Sequence, residues 1–365
     1  MNILVISLAG NGDTLFATPL IHELRLNFPG ATIDALVRWP AARDLLAGNP
    51  HLNRVHQKDL MKCGPLAAVQ YLGGLRRTGY DLSINTHPQS RIHYRLVARI
   101  IGAKTRFSHD YDGSGFLDRW LVNRTLPQDY TQHAVDNNLA VLPLIGAKTL
   151  LPRHEPELFL TAVEEVWTKE FLARHQLTGR KLLGVHAGSG GTKNLALRRW
   201  PLVNYMELVR RLRQEEPETG ILFFGGPDEQ ADHEQMLATL GPQNLYFPKT
   251  PGLVQAAHLL KQCEVFVSVD TVMMHLAAAV KVPRQVVIET PTWNPPIQPY
   301  AHPFTLVKNP IVDGRGLDYY RYDGGNIKGT REELVACMAS VTVDAVLAAV
   351  RGSPDTDPKQ GPTGG

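Results

Sequence analysis

Near-continuous apolar runs alternate with stretches of helical periodicity along this chain. Ile3–Leu8 is an apolar run that ends in Asn11, Gly12 and Asp13, as a buried strand feeding a turn would. Thr14–Phe28 follows with Leu20, Leu24 and Phe28 on one helical face, and Thr32–Val37 reads as the next strand. Leu66–Arg77 is helical, Tyr80–Asn85 a strand and Ile92–Ile101 a helix. A second series begins later: a helix at Ala162–His175, a strand at Lys181–His186, then the turn Gly188–Gly191. Further strands are expected at Gly220–Phe224, Val265–Val269 and Gln285–Ile288. Helices are expected at Leu202–Gln214, Glu229–Leu240, Leu253–Lys261 and Val272–Val280.

Strand-helix-strand order implies parallel pairing with helices on both sheet faces, an α/β architecture. At 365 residues the chain exceeds what one core usually serves, so two domains are expected. Both halves open on a buried strand and a glycine-bearing turn. The Pro152 and Pro156 segment, from Leu150, reads as the start of a connection. The expected division is an N-terminal Rossmann-like domain over 1–160 and a C-terminal Rossmann-like domain over 161–335. A C-terminal helix over 336–351, packing back on the N-terminal domain, and a disordered Gly/Pro/Asp-rich tail over 352–365 complete it. Two such domains leave a cleft at the C-terminal strand ends, where open α/β sheets bind ligands.

Composition changes this picture little. A net charge of +3 does not mark a nucleic-acid binder, though it suits an anionic substrate or membrane surface. Cys63, Cys263 and Cys337 are scattered and odd in number, which argues against a disulfide framework or zinc site. The first apolar run lacks the basic start and length of a signal peptide, and no run approaches membrane-spanning length. A cytoplasmic protein, with peripheral contact to the inner membrane allowed, is the expectation.

The residues after the strands carry the candidate chemistry. Asp13, in Asn11-Gly12-Asp13-Thr14, reads either as a helix cap or as a carboxylate that takes a proton in the cleft. The turn lacks G-x-G-x-x-G and a matching acid after the second strand, which counts against an ordinary NAD enzyme. His186-Ala187-Gly188-Ser189-Gly190-Gly191 could hold phosphate oxygens on backbone N–H groups, with Lys193, Arg198 and Arg199 close by; a basic surface loop is the alternative. In Phe224-Gly225-Gly226-Pro227-Asp228-Glu229, Asp228 could cap the next helix and Glu229 could meet a ribose hydroxyl. Asp270 and Thr271 start a helix bearing His275, with Asp270 readable as an N-cap and His275 as a packed core histidine. His87 and Arg91 lie in the loop Thr86–Arg91, which follows a strand and should border the cleft, or the loop could simply begin a helix with a solvated Arg.

The order of these motifs is more specific than any one of them: Gly-Asp, a Gly/Ser turn with R-W-P, G-G-P-x-E, and S-V-D-T-x-x-x-H-L-A-A-A from Ser268 to Ala279. Together they resemble the ADP-heptose:lipopolysaccharide heptosyltransferases, glycosyltransferase family 9, over about Ile3 to Val350. The resemblance implies two Rossmann-like domains facing across a cleft (GT-B). It implies an inverting transfer of a heptose or related sugar from an ADP-linked donor to a lipid-linked or soluble saccharide, with Asp13 as general base. Ser189, Gly190, Arg198, Glu229, Asp270, Thr271 and His275 then fall on the donor side, in a nucleotide-sugar-binding C-terminal domain, and the N-terminal domain is the acceptor side, where His87 and Arg91 could contact a phosphorylated sugar acceptor. Gly188 stands where the family has a hydroxyl residue, Arg198 where it has Lys, and Val272 where it has Gly. No Asp-x-Asp metal motif is evident where the resemblance would place one, so neither metal nor cofactor is required by this reading, and no nucleic acid is implicated. A noncatalytic nucleotide-sugar binder and a GT-B-like epimerase stay open at this point, as do the acceptor and a UDP-linked donor.

Overall fold

The computed structural model describes residues 1–188, 195–291, 295–312, 330–352 and 361. Two six-stranded sheets organise it. The first is built from β1 (Asn2–Ser7), β2 (Thr32–Val37), β3 (Arg54–Gln57), β4 (Leu82–Asn85), β5 (Thr105–Asp110) and β6 (Arg124–Pro127), in the order β3-β2-β1-β4-β5-β6. The second comprises β7 (Leu182–His186), β8 (Gly220–Phe224), β9 (Leu245–Tyr246), β10 (Val265–Ser268), β11 (Arg284–Ile288) and β12 (Thr305–Val307), in the order β12-β11-β10-β7-β8-β9. Every strand pair is parallel. Counted from its own first strand, each sheet has the doubly wound order 3-2-1-4-5-6. The chain therefore reverses direction between β1 and β4, and again between β7 and β10, and ligand crevices form at such reversals.

The central strands read as apolar runs because helices cover both of their faces. Ile3, Val5, Ile33 and Ala35 pack with Leu20, Ile21 and Leu24 on one side of the first sheet. Leu4, Ile6 and Leu36 pack with Leu72, Val97 and Ala98 on the other. In the second sheet Val185, Val267 and Val286 meet Tyr205, Leu208 and Leu347, and Leu222 and Phe266 meet Ala257, Leu260 and Leu276.

Several elements differ from the pattern-based expectation. Thr14–Phe28 is not one helix. A short helix, Asn11–Phe16, is followed by Thr18–Asn27, whose early Pro19 lacks the N–H that would join the two turns. The expected C-terminal helix is two helices, Arg331–Ala339 and Val343–Arg351. The latter does not return to the N-terminal sheet. Val346, Leu347 and Val350 enter the core of the second sheet, and Arg284 Nη1 donates to Val350 O at 2.7 Å. An amphipathic helix goes to the nearest uncovered apolar surface, and here its own domain supplied one. The expected disordered tail lies outside the described residues, apart from Gly352 and Gly361. Among the described residues no single helix is long and apolar enough to cross a membrane.

The connection between the sheets is pinned to the Thr18–Asn27 helix. The fully buried Glu23 accepts from Leu150 N at 2.9 Å, Leu151 N at 2.8 Å and His154 Nε2 at 2.8 Å.

Burial also leaves a group of histidines neutral. Desolvation lowers His109 to about 4 and His133, His186 and His275 to about 3, and holds His87 well below its usual value. The unfolded chain binds protons at these rings below about pH 6.5, whereas the folded chain does not. Their contribution to stability is thus complete above that pH and is lost as pH falls toward the folded values. At pH 5 each ring favours unfolding by roughly 2 kcal/mol. Raised carboxyl pKa values at Asp136, Glu157 and Asp270 act in the opposite direction but concern fewer groups. The melting temperature should therefore drop steadily from pH 7 to pH 5 in scanning calorimetry. A flat or rising profile would show that these rings are protonated in the folded protein.

Candidate functional site

Four of the candidate segments lie at the two chain reversals. Asn11–Asp13 follows β1, Thr86–Arg91 follows β4, the His186–Gly188 segment follows β7, and Asp270–Thr271 follows β10. Ser189, Gly190, Gly191 and Lys193 lie outside the described residues.

Asp13 is not the N-cap. Gly10 holds that place, in extended conformation, and Asp13 is the third helical residue, its Oδ2 accepting from Gly10 N at 2.7 Å. A carboxylate in a first turn neutralises exposed N–H groups there, so Asp13 closes its own turn while staying partly exposed. Its charge raises the Tyr94 phenol, second to burial, which places Tyr94 of the Ile92–Ile101 helix within its field.

The turn bearing Asp13 abuts the Val272–Ala279 helix of the second sheet. A Cβ on Gly12 would stand 2.7 Å from His275 Cδ2, so only glycine permits this approach. The His275 ring meets Phe16 edge-on with centroids 4.5 Å apart. His275 is 7% exposed and neutral, and its buried Nδ1 has no hydrogen-bond partner among the described residues. It is thus a packed interdomain residue first, with one unused polar atom. Phe16 also joins Ala134, Val135, Ile297 and Tyr300 in a small core linking the two halves.

Beyond His275 lie two ion pairs. Arg198 Nη1 donates to Asp270 Oδ2 at 2.5 Å, and both side chains are nearly buried. Burial raises the Asp270 carboxyl, and the Arg198 charge works against that rise. Arg199 Nη2 donates to Glu229 Oε1 at 2.7 Å, while Glu229 Oε2 accepts from Gly226 N at 2.8 Å. Asp270 therefore does not cap the following helix. Thr271 stands at the N-cap, and its Oγ1 lies 3.2 Å from His186 Nδ1. Gly188 has a steric cause as well: a Cβ there would meet Glu229 Oε1 at 2.7 Å and His186 Nε2 at 2.9 Å. A hydroxyl residue at 188 would displace the Arg199–Glu229 pair, which accounts for its absence.

The acceptor-side expectation divides. His87 has no exposed surface. Its backbone N–H donates to Asn138 Oδ1 at 2.7 Å, and its ring lies 3.2 Å from the Tyr111 hydroxyl and 3.3 Å from Gln128 Nε2. The expected contact between His87 and an acceptor is therefore corrected: the side chain builds the loop from behind. Arg91 is exposed at the head of the Ile92–Ile101 helix, beside His93 and Arg38, whose pairing with Asp59 at 3.0 Å holds it in place. Sequence reasoning gave no role to His186, Arg38 or Tyr94. His186 was readable as the last residue of a strand before a glycine turn; the other two come from folding alone.

Among the described residues one trio has metal-type ligands close together, namely His22, His51 and Glu157. The two rings stack 3.8 Å apart with planes 14° from parallel, and His22 Nδ1 is hydrogen-bonded to Glu157 at 2.7 Å. A metal lies in the plane of each imidazole that binds it, and near-parallel stacked planes share no such point.

This arrangement matches known proteins. The model of glycosyltransferase family 9 (heptosyltransferase) matches residues 70–313. Lipooligosaccharide heptosyltransferase 2 of Haemophilus ducreyi is 28% identical over 338 residues, covering 86% of this chain and 90% of its own. Lipopolysaccharide heptosyltransferase 2 of Salmonella typhimurium is 26% identical, covering 84% and 88%. Among solved structures, a family 9 glycosyl transferase from Veillonella parvula superposes with a TM-score of 0.75 at 19% identity, covering 96% of both chains. The E. coli ADP-heptose lps heptosyltransferase II gives 0.71 at 21%, covering 96% and 98%. The two facing doubly wound sheets are accordingly the GT-B fold, and with two thirds of its length under the family model this chain belongs to glycosyltransferase family 9 and is a glycosyltransferase.

Proposed function

We propose that the protein transfers a heptose, or a closely related sugar, from an ADP-linked donor to a saccharide of the lipopolysaccharide core, with inversion at the anomeric carbon. The observation that carries this reading is the meeting of the two chain reversals at Gly12 and His275, with Asp13 on one side and the Arg198–Asp270 pair on the other. The named functions of the H. ducreyi and S. typhimurium relatives, and a solved E. coli heptosyltransferase with ADP, support the choice of donor and acceptor.

In this reading Asp13 takes the proton of the acceptor hydroxyl, and that oxygen attacks the anomeric carbon as the bond to the ADP oxygen breaks. Charge develops on the leaving diphosphate. Arg198, held in position by Asp270, and the first N–H groups of the Val272–Ala279 helix are the groups that meet it. Ser189 and Gly190 belong to the same phosphate role from sequence. Glu229 and Thr271 serve the nucleoside and phosphate ends, and the unused His275 Nδ1 offers the donor one further polar contact. Arg91 and Arg38 give the acceptor side two cations suited to a phosphorylated sugar. The reaction takes place on the inner side of the cytoplasmic membrane.

The test is a transfer assay. Incubation with ADP-heptose and heptose-deficient core saccharides should add one heptose by mass and release one ADP per transfer. UDP-linked sugars should give no product. Turnover of the nucleotide sugar without an acceptor would favour an epimerase, and absence of transfer from every ADP-linked sugar would sink the proposal.

A further inference from the structure

Thr271 stands at the N-cap of the Val272–Ala279 helix. The first turn of a helix has N–H groups with no carbonyl of their own helix to bond, and a threonine at the N-cap ordinarily turns its hydroxyl back to accept from the second or third of them. Three other threonines of this chain do so. Thr161 accepts from Val163 N, Thr330 from Glu333 N at 3.2 Å, and Thr342 from Ala345 N at 3.2 Å. Thr271 shares their extended backbone, with φ −151° and ψ 169°, yet its side chain makes no cap bond. The third N–H, Met274 N, is satisfied by Thr271 O at 3.1 Å, which leaves Met273 N as the group that a returning hydroxyl would take.

The hydroxyl is taken by His186 instead, whose Nδ1 lies 3.2 Å from Thr271 Oγ1 across the chain reversal between β7 and β10. Strand pairing puts the two residues there. His186 ends β7 and is in register with Ser268, which ends β10 just before Asp270 and Thr271. Burial, helped by the Arg199 charge, lowers the His186 ring to about 3, so it is neutral. A neutral imidazole bonds a hydroxyl in either tautomer, as donor or as acceptor. A second feature marks the same helix start as a place for a ligand. His275, one turn along, has its Cδ2 edge against Gly12, while Nδ1, on the opposite edge of this nearly buried ring, has no partner among the described residues.

We propose that His186 is a positioning residue for the donor: by holding the Thr271 hydroxyl off its own helix, it keeps the first N–H groups of that helix, Met273 N above all, open to the diphosphate of an ADP-linked sugar. A cap oxygen and a phosphate oxygen compete for the same N–H groups. If Thr271 capped its helix, each donor molecule would have to break that bond before making its own, and the lost bond would be subtracted from the affinity. With the hydroxyl bonded to His186, the helix start is uncapped before the donor arrives, and the cost of leaving it so is met in folding. The inference rests on the donor reading given above and adds to it a residue that does not itself have to touch the donor.

The test is ADP titration calorimetry, with thermal melting alongside, on the full chain carrying His186→Leu, His186→Asn, His186→Gln or Thr271→Val. Leu removes the bond to Thr271. The Asn amide reaches the place of Nδ1, and the Gln amide reaches that of Nε2. His186→Leu should weaken ADP binding by about tenfold or more, the value of one charge-assisted hydrogen bond. His186→Asn should recover most of that loss and His186→Gln little of it. In the Thr271→Val background, where no hydroxyl can cap, adding His186→Leu should cost no further affinity, because its effect passes through that hydroxyl. A ring that only supports the fold would lower melting temperature and ADP affinity together, and equally in the Asn and Gln variants. Equal losses in those two variants, or losses from His186→Leu and Thr271→Val that add in the double variant, overturn the role of His186 and leave the donor reading standing. Wild type that binds no ADP overturns both.

Discussion

Replacing Asp13 by Asn should reduce transfer by about 10²–10⁴-fold while leaving the protein folded and able to bind donor. The carboxylate accepts from Gly10 N at 2.7 Å in the first turn of the Asn11–Phe16 helix. An Asn oxygen can accept the same bond, so the turn survives. What is lost is the negative charge beside the helix start, worth about 0.3–1 kcal/mol, and the ability to accept a proton. The two losses differ by orders of magnitude in their effect on rate. A residue that serves only its turn would give a melting shift of a few degrees with near-normal turnover. Single-turnover transfer, ADP titration calorimetry and thermal melting on one preparation separate the cases, and wild-type turnover by the Asn variant would remove Asp13 from the mechanism.

Arg198→Ala should cost both donor affinity and stability. From sequence, Arg198 reads as a cleft cation whose loss would mainly weaken binding. The structure changes that expectation, because Arg198 is nearly buried and paired with an equally buried Asp270. Truncating one partner strands the other charge, which typically costs about 3–5 kcal/mol. Loss of the phosphate contact itself should weaken ADP binding by roughly 1.5–3 kcal/mol. The double variant Arg198→Ala/Asp270→Asn distinguishes the effects. Removing the stranded carboxylate should restore most of the melting temperature while leaving ADP affinity low. If affinity recovers along with stability, Arg198 acts only through folding and does not meet the diphosphate.

The ion pairs also explain why the proposed donor side was only partly legible from sequence. Arg198, Arg199, Glu229 and Asp270 stand out individually, each after or near a strand. Nothing in their spacing shows that they pair with one another, since 72 residues separate Arg198 from Asp270 and 30 separate Arg199 from Glu229. The same holds for Gly188. Its departure from the family pattern looks like a weakened phosphate turn until Glu229 and His186 are seen crowding its Cα. His87 fails in the opposite sense. A histidine in a loop after a strand looks available, yet Asn138, Tyr111 and Gln128 come from distant segments to enclose it.

What the sequence determined by itself is whatever depends on neighbours along the chain. Apolar runs bounded by glycine turns specify the central strands, and helical periodicity between them specifies parallel crossovers. The placement of Asp13, Glu229 and Asp270 after strands follows from that alternation, because a doubly wound sheet presents the residues after its strands at one edge. The tertiary structure decided what depends on distance in space. It split the first helix at Ala17 and sent the Val343–Arg351 helix to the second sheet. It closed the cleft through Gly12 against His275 and neutralised five histidines by burial. Burial, ion pairing and surface contiguity are properties of surfaces that meet only when remote segments pack, and a periodic pattern carries no record of which surfaces those will be.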